Sequence, residues 1–366
     1  MKIVFVTNVD WFFISHRLPL ALHAIKEGNK VYLLTADTGK KTEIESYGIK
    51  FINVPFVRSG SNPFHELKCV LILRKLYKQI KPDFIYQVTL KASLLGSLAA
   101  KLCGQKNVVN AISGLGYNFI DGRDGLLQKT IKLVIRLAYK SKNFSFIIQN
   151  PDDLAMIKRL NLVPEENVFL IKGSGIDLKE FYYKNPIENN KVRILFPARI
   201  LIDKGVMEFL NAAKLIREKV NERAIFILAG SCDNNNLAVL KEEILLDYLE
   251  DGYIEWIGYQ QKMFDVYVNS DIVVLPSYRE GLPKSLIEAC AVGRPIITTD
   301  VPGCRECVVD GYNGYLVPAK DIEKMSEYLL KLIGDSELRK ELGLNSRKLA
   351  EREFSIDKVI EKTFSI

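Results

Sequence analysis

Four charged side chains in the second half of this 366-residue sequence stand at spacings suited to holding a phosphorylated ligand. The run RILFPA over 193–198 reads as a buried strand that ends directly at Arg199, and Lys204-Gly205 then opens an amphipathic stretch over 205–219. Such a strand-to-helix connection puts two cations at the carboxyl edge of a sheet, beside a helix N-terminus. A diphosphate is favoured there by fixed charge and by backbone N–H groups. The segment PSYREGLPKSLIE over 276–288 supplies two carboxylates. Pro283 suits a first helical turn, so Glu280 lies in the loop before the helix and Glu288 inside it. Gly281 permits close backbone approach, and the early amides around Gly281 and Leu282 can meet phosphate oxygens. Two carboxylates framing cations match a sugar nucleotide, one accepting from ribose hydroxyls and the other from a transferred sugar. Plainer readings stand beside this one. A loop Arg and Lys are often only solvated, and Glu288 can simply pair with a surface cation.

Positioning these residues requires two sheets. In the first half, β-branched runs at 2–6, 31–35, 51–54, 84–87, 108–111, 146–149 and 168–171 alternate with helical patterns at 18–27, 66–80 and 93–102. Strand–helix alternation implies a parallel sheet with helices on both faces. The polar stretch YKNPIENNK over 183–191 reads as a linker, after which the alternation restarts with strands at 193–197, 224–229, 254–257, 272–276 and 296–298 and a helix at 284–292. The expected fold class is therefore α/β, with two Rossmann-like, doubly wound domains at 1–182 and 192–350 facing each other across a cleft. Residues 351–366 form a last helix.

With 48% hydrophobic and 26% charged residues, the chain falls outside disordered and fibrous classes. No apolar run approaches the roughly 18 residues that span a bilayer, and the broken apolar start at 3–6 reads as a strand, not a signal peptide. The expected location is the cytoplasm. Six cysteines follow no framework spacing, and Cys304 and Cys307 lack the second ligand pair that a zinc site needs. The net charge of +7 is uneven: residues 1–187 carry 27 Lys+Arg against 15 Asp+Glu (+12), leaving 24 against 29 (−5) for the rest. A basic first half suggests that one face meets an anionic surface.

Two further stretches frame the charged four. GSGID over 173–177 precedes the linker, and VPGCRE over 301–306 leads to DGYNGYLVP over 310–318; both are turn-rich, and turn chemistry explains either without a ligand. Taken in order, GSGID, RILIDKG, PSYREGLPKSLIEA and PGCRE resemble the retaining glycosyltransferases of family 4, across essentially the whole chain and most specifically over 199–313. That resemblance implies a GT-B fold. It implies that Arg199 and Lys204 hold the donor diphosphate, Glu288 the ribose and Glu280 the donor sugar. It also implies retention of anomeric configuration with no metal cofactor, and a C-terminal segment that crosses back onto the first domain. The sequence carries no D-x-D, with which other glycosyltransferases bind a divalent ion, and no G-x-G-x-x-G for a nicotinamide cofactor.

The first half departs from the broad family pattern. NVDWFFISHR over 8–17 replaces the Gly-Gly that many relatives carry after the first strand, and ISGLGY over 112–117 lacks their His. This combination resembles a subgroup that extends lipid-linked oligosaccharides in bacterial surface-glycan assembly. It makes His16, Arg17 and Tyr117 candidate acceptor-site residues, with a structural histidine at a helix start as the plainer reading of His16. From 125 to 151 no acidic residue occurs, while Lys129, Lys132, Arg136 and Lys140 recur at helical spacing. Ile131, Val134, Ile135 and Ala138 should pack on the sheet, with Leu133 and Leu137 flanking the cations. The stripe reads as a helix resting on anionic lipid, or else as a solvated face. Nothing in the sequence marks a nucleic-acid motif. The expected partners are a UDP-sugar, a polyprenyl-diphosphate-linked acceptor and the inner face of the cytoplasmic membrane. A GT-B-fold sugar-nucleotide epimerase and a non-catalytic sugar-nucleotide-binding protein are the alternatives.

Overall fold

The structure is a computed structural model that describes residues 1–57, 62–114, 126–187, 190–233, 236 and 238–366, with the backbone alone for 126–132. The chain divides into two compact units: Met1–Ser174 with Val359–Ile366, and Gly175–Lys358.

The first unit is built on seven parallel strands: β1 (Lys2–Val6), β2 (Lys30–Thr35), β3 (Lys50–Asn53), β4 (Phe84–Val88), β5 (Val108–Ile112), β6 (Phe144–Ile148) and β7 (Val168–Leu170). Their order is β3-β2-β1-β4-β5-β6-β7. Central strands such as β5 (VVNAI) are buried along their whole length, as a sheet covered on both faces demands. Helix Pro63–Ile80 begins where Asn62 accepts from the amides of Phe64 (3.0 Å) and His65 (3.4 Å), with Pro63 in the first turn. It packs beside helix Leu90–Lys101, which in turn packs beside helix Leu126–Tyr139. Helix Asp10–His16 has no counterpart in the sequence reading. It is one short piece whose preceding residue, Val9, offers no side-chain cap, so the usual start signal is absent. Asp10 takes over the tethering, accepting from the amides of Trp11 (2.7 Å), Thr38 (2.6 Å) and Lys40 (3.2 Å).

The second unit holds β8 (Val192–Phe196), β9 (Ala224–Leu228), β10 (Ile254–Trp256), β11 (Ile272–Leu275), β12 (Ile296–Thr299) and β13 (Gly314–Val317). All pair in parallel, in the order β10-β9-β8-β11-β12-β13. Residues 175–182, expected with the first domain, belong to this unit. Ile176 bridges Ser355, and the Phe181 ring lies edge-on to Phe264 (6.0 Å) and Tyr267 (6.5 Å). The last residues belong to the first unit, where the Phe364 ring lies against Phe84 (6.1 Å) and His23 (5.5 Å).

Candidate active site

In the second sheet the strand order reverses between β8 and β11, since β9 follows β8 on one side while β11 flanks it on the other. Ligands of open α/β sheets bind outside the carboxyl ends of strands at such a reversal, where loops diverge and leave a crevice. The loops leaving β8 and β11 carry the predicted cations and the first carboxylate.

Lys204 closes the short helical turn Ile202–Lys204, and its Nζ lies 2.5 Å from Glu280 Oε1. Both side chains are mostly enclosed, at 19% and 13% exposed, so the pair is neither a free surface contact nor fully buried. Ser277 Oγ donates to the same Glu280 oxygen at 2.9 Å. The backbone locks this geometry from two sides. Tyr278 N donates to Asp203 O (2.9 Å), joining the β11 loop to the turn that carries Lys204. Glu280 N donates to Pro302 O (3.1 Å), seating the carboxylate's backbone on the loop after β12.

Two glycines make these approaches possible. Gly205 has φ +77°, and a Cβ there would stand 2.0 Å from Pro276 O. Gly303 has φ +81°, and a Cβ would stand 2.5 Å from Glu280 O and 2.6 Å from Gly281 O. Only a residue without Cβ fits either place. The GCRE stretch thus owes its glycine to Glu280, a link its turn chemistry alone does not reveal.

Arg199 follows β8, and its Nη1 bonds Asp233 Oδ2 at 2.8 Å. Asp233, 13% exposed in the segment after β9, is a partner of this site cation that local pattern does not mark, because a lone Asp in a polar loop carries no spacing signal. Ser277 was overlooked too, although it stands inside the 276–288 segment.

Glu288 lies within helix Lys284–Val292 and is buried. Tyr267 Oη donates to its Oε2 (3.1 Å), and Lys284 Nζ stands 3.4 Å from its Oε1. Burial raises its pKa above the ordinary carboxylate value, against the opposing pull of Lys284. A buried carboxylate met by one hydroxyl and one partly exposed amine keeps capacity to accept from a ligand hydroxyl. Gly281 is half-buried and Leu282 buried, between Glu280 and the start of this helix.

A second layer supports the β11 loop. Tyr278 Oη donates to buried Glu208 Oε1 at 2.6 Å, and Lys320 Nζ sits 5.0 Å above the Tyr278 ring. Cys304 and Cys307 are both fully buried. Burial pushes the Cys304 thiol up to about 12 and also raises Cys307 well above the ordinary thiol value, so neither offers a thiolate.

In the first unit His16 ends, rather than begins, a helix. Its ring stacks on Phe12 (4.2 Å between centroids) and its Nδ1 meets Ser15 Oγ at 2.6 Å. Arg17 needs correction as an acceptor-site residue, since it is only 1% exposed. Its Nη1 donates to His16 O (2.9 Å), and its guanidinium lies 5.9 Å from the Tyr86 ring centre. Tyr117 lies outside the described residues.

Helix Leu126–Tyr139 is present where the basic stripe was expected. The side chains of Lys129, Lys132 and Ile131 lie outside the described residues. Ile135 and Ala138 pack inward as anticipated, but Val134 is exposed with Leu133 and Leu137, which broadens the apolar part of the outer face. The Arg136 guanidinium turns to Leu160 O (2.7 Å) and Asn161 O (3.3 Å), and Lys140 is exposed beyond the helix end. Among the described residues, no helix is long and apolar enough to cross a membrane.

Comparison with known proteins agrees with this architecture. The family described as "Glycosyl transferases group 1" matches residues 178–349, and "Glycosyl transferase 4-like" matches residues 2–150. Over its length the chain is 31% identical to the N,N'-diacetylbacillosaminyl-diphospho-undecaprenol alpha-1,3-N-acetylgalactosaminyltransferase of Campylobacter jejuni, covering 94% of this chain and 93% of that protein. It is 24% identical to the UDP-Gal:alpha-D-GlcNAc-diphosphoundecaprenol alpha-1,3-galactosyltransferase of Escherichia coli, over 91% and 87% of the two chains. Among solved structures, Anabaena HepE in complex with UDP and glucose superposes with a TM-score of 0.80 at 16% identity, covering 100% of this chain and 98% of that one. With its paired doubly wound units and its whole-length relatives, the chain belongs to the group 1 glycosyltransferases of the family 4 type and has their GT-B fold.

Proposed function

We propose that this enzyme moves a hexose or N-acetylhexosamine from a UDP-sugar to a saccharide carried on a polyprenyl diphosphate, with retention, in bacterial surface-glycan or glycoprotein-glycan assembly. The observation that carries the reading is the Lys204–Glu280–Ser277 cluster at the carboxyl edge of β8 and β11, with Arg199 on the same loop as Lys204. Support for the lipid diphosphate comes from the names of the Campylobacter and Escherichia relatives, which both specify an undecaprenyl diphosphate carrier.

In this reading Arg199 and Lys204 hold the diphosphate. Their charge stabilises it as the bond from the anomeric carbon to the phosphate oxygen breaks, the largest electrostatic contribution such a site can make. The acceptor hydroxyl bonds to the same face of that carbon, and a leaving phosphate oxygen takes its proton. Glu288 accepts from the ribose, Glu280 from the transferred sugar, and the backbone at Gly281 and Leu282 borders the phosphates. Charge neutralisation rests on the two cations and not on a divalent ion, in keeping with a sequence that lacks D-x-D. His16 is the acceptor-side candidate. Lys129, Lys132, Arg136 and Lys140 are assigned to anionic lipid at the cytoplasmic face of the membrane, with the Arg136 stem contributing packing while its head bonds carbonyls.

The test is a thermal-shift panel of UDP, GDP, ADP and their sugars, with and without Mg²⁺, followed by transfer to a lipid-diphosphate saccharide. A ligand at roughly 100 times its dissociation constant adds about 2.7 kcal/mol to the native state. UDP and one UDP-sugar should stabilise without metal, and Arg199→Ala should abolish the shift. Stabilisation by GDP or ADP alone, or a strict need for Mg²⁺, would overturn the donor assignment. Conversion of the UDP-sugar to a free isomer without acceptor would favour an epimerase.

A further inference from the structure

Helix Val206–Val220 turns Val206, Phe209, Leu210, Ala213 and Ile216 into the core of the second unit, and Glu208 is buried with them. Glu208 is 8% exposed, a carboxylate at a core position of an amphipathic helix. The ordinary uses of a glutamate in a first helical turn do not account for that. Glu208 does not reach back to the amide that begins the helix, since Gly205 N donates to Ile202 O at 3.0 Å. Offsetting the helix dipole needs no burial, because an exposed carboxylate does it as well. Its Oε2 has no hydrogen-bond partner among the described residues, which costs stability. What the buried carboxylate does hold is Tyr278, whose Oη donates to Oε1 at 2.6 Å.

Tyr278 belongs to the same short loop as Ser277 and Glu280. Its amide is fixed to Asp203 O (2.9 Å), and Ser277 Oγ lies 3.1 Å from that carbonyl and 2.9 Å from Glu280 Oε1. From this loop the phenol runs to the first turn of the helix, and Lys320 Nζ, from the loop after β13, sits 5.0 Å from the ring centre. The contacts close a circuit. Lys204 leads through Gly205 into the helix, Glu208 holds Tyr278, and the loop of Tyr278 leads to Glu280, which meets Lys204 again. The Lys204–Glu280 ion pair is the direct link in that circuit. It opens when Lys204 takes the diphosphate and Glu280 the sugar, whereas the Tyr278–Glu208 bond uses neither residue and stays closed.

We infer that Tyr278 and Glu208 are positioning residues for the donor sugar: their bond ties the Glu280 loop to the helix that starts at Lys204, and so keeps the sugar-side carboxylate in register with the diphosphate-side cation. This deepens the donor reading of Lys204 and Glu280 and rests on it. A polar residue kept at a core position, against the stability of its own helix, marks a constraint set by a neighbouring site. Misplacing a group by about 1 Å costs a reaction up to roughly 100-fold, so a loop that carries a sugar contact has to be braced from a part that the ligand does not displace. The brace acts on the sugar contact. Diphosphate binding by Arg199 and Lys204 does not depend on it, because both cations stand on the β8 loop.

The experiment uses the full chain with UDP-galactose or UDP-N-acetylgalactosamine as donor and a short-chain prenyl-diphosphate-linked N-acetylglucosamine as acceptor. UDP release reads kcat, calorimetry reads UDP affinity and thermal denaturation reads stability. Tyr278→Phe keeps the ring beside Lys320 and removes the bond, so kcat should fall about tenfold or more while UDP affinity stays at the wild-type value. Glu208→Gln keeps an oxygen for the phenol to donate to and should retain most of the wild-type rate. Tyr278→Phe/Glu208→Leu removes both ends of the bond together with the buried charge, so its melting midpoint should return to that of wild type. Its kcat should nevertheless stay as low as that of Tyr278→Phe. A bond serving the fold alone would instead let activity recover with the midpoint, and that result overturns the inference. Wild-type kcat in Tyr278→Phe overturns it as well, and so does UDP affinity that falls in step with kcat. Wild type that binds no UDP refutes the donor assignment itself, and this inference with it.

Discussion

Replacing Lys204 with Met leaves the Glu280 carboxylate with Ser277 Oγ as its remaining bond on Oε1, in surroundings that keep its side chain 13% exposed. An exposed ion pair contributes about 0–1 kcal/mol, whereas breaking a fully buried one costs about 3–5 kcal/mol. The enclosure of this pair lies between those limits, so the ligand-free protein should lose about 1–3 kcal/mol, much of it from stranding Glu280. For a unit of this size each kcal/mol shifts the melting midpoint by about 2–4 °C. Lys204→Met/Glu280→Gln removes the stranded charge and keeps the Ser277 bond, so it should regain at least half of the lost stability. Nucleotide binding should behave differently. A hydrogen bond between charged groups contributes about 1.5–3 kcal/mol, which corresponds to roughly 10–150-fold in dissociation constant. That loss should appear in Lys204→Met and persist in the double variant. Urea denaturation of the four proteins of the cycle, paired with UDP titration calorimetry, reads both quantities. A double variant less stable than either single variant, or wild-type UDP affinity in Lys204→Met, would refute the reasoning.

Two other substitutions separate stability from function. Glu288 has a raised pKa from burial, so the folded protein holds this proton to a higher pH than the unfolded chain does. Between the two values the folded state binds more protons, and stability falls as pH rises through that window and stays lower above it. Glu288→Gln removes this penalty. Its midpoint at neutral pH should equal or exceed that of wild type while donor affinity falls, and a lower midpoint with unchanged affinity would contradict both assignments. Gly303→Ala must place a Cβ 2.5 Å from Glu280 O at φ +81°. Left-handed backbone and overpacking together cost about 2–5 kcal/mol. The displaced Glu280 should lower kcat/KM beyond what the thermal shift explains, and wild-type activity in this variant would separate Gly303 from the site.

The charged four were legible because strand, loop and helix signals sit next to them. An apolar run ending at Arg199 and Pro283 before an apolar helix place cations and carboxylates at one sheet edge by local rules alone. The partners those groups choose were not legible. Arg199 meets Asp233, 34 residues on, and Glu288 meets Tyr267, 21 residues back. Such pairings depend on which strands become neighbours, and no local pattern encodes that. Arg17 marks the same limit from the other side. Its sequence context reads as an acceptor-site cation, yet in the folded chain it is enclosed, with its guanidinium beside the Tyr86 ring.

What the sequence determined by itself was the periodic content: twelve short strand-like runs, their alternation with helices, and hence two doubly wound units. Periodicity is a property of neighbours along the chain, so it survives without any tertiary contact. Only the folded chain decided which amphipathic faces stay uncovered. The stripe at 126–140 announced itself by charge, whereas Phe64, Leu67 and Leu71 look like ordinary core residues until Cys69, Val70, Leu73 and Tyr77 are seen to fill that role instead. A helix has apolar residues to spare on more than one side, and the sheet it packs against selects which side is buried.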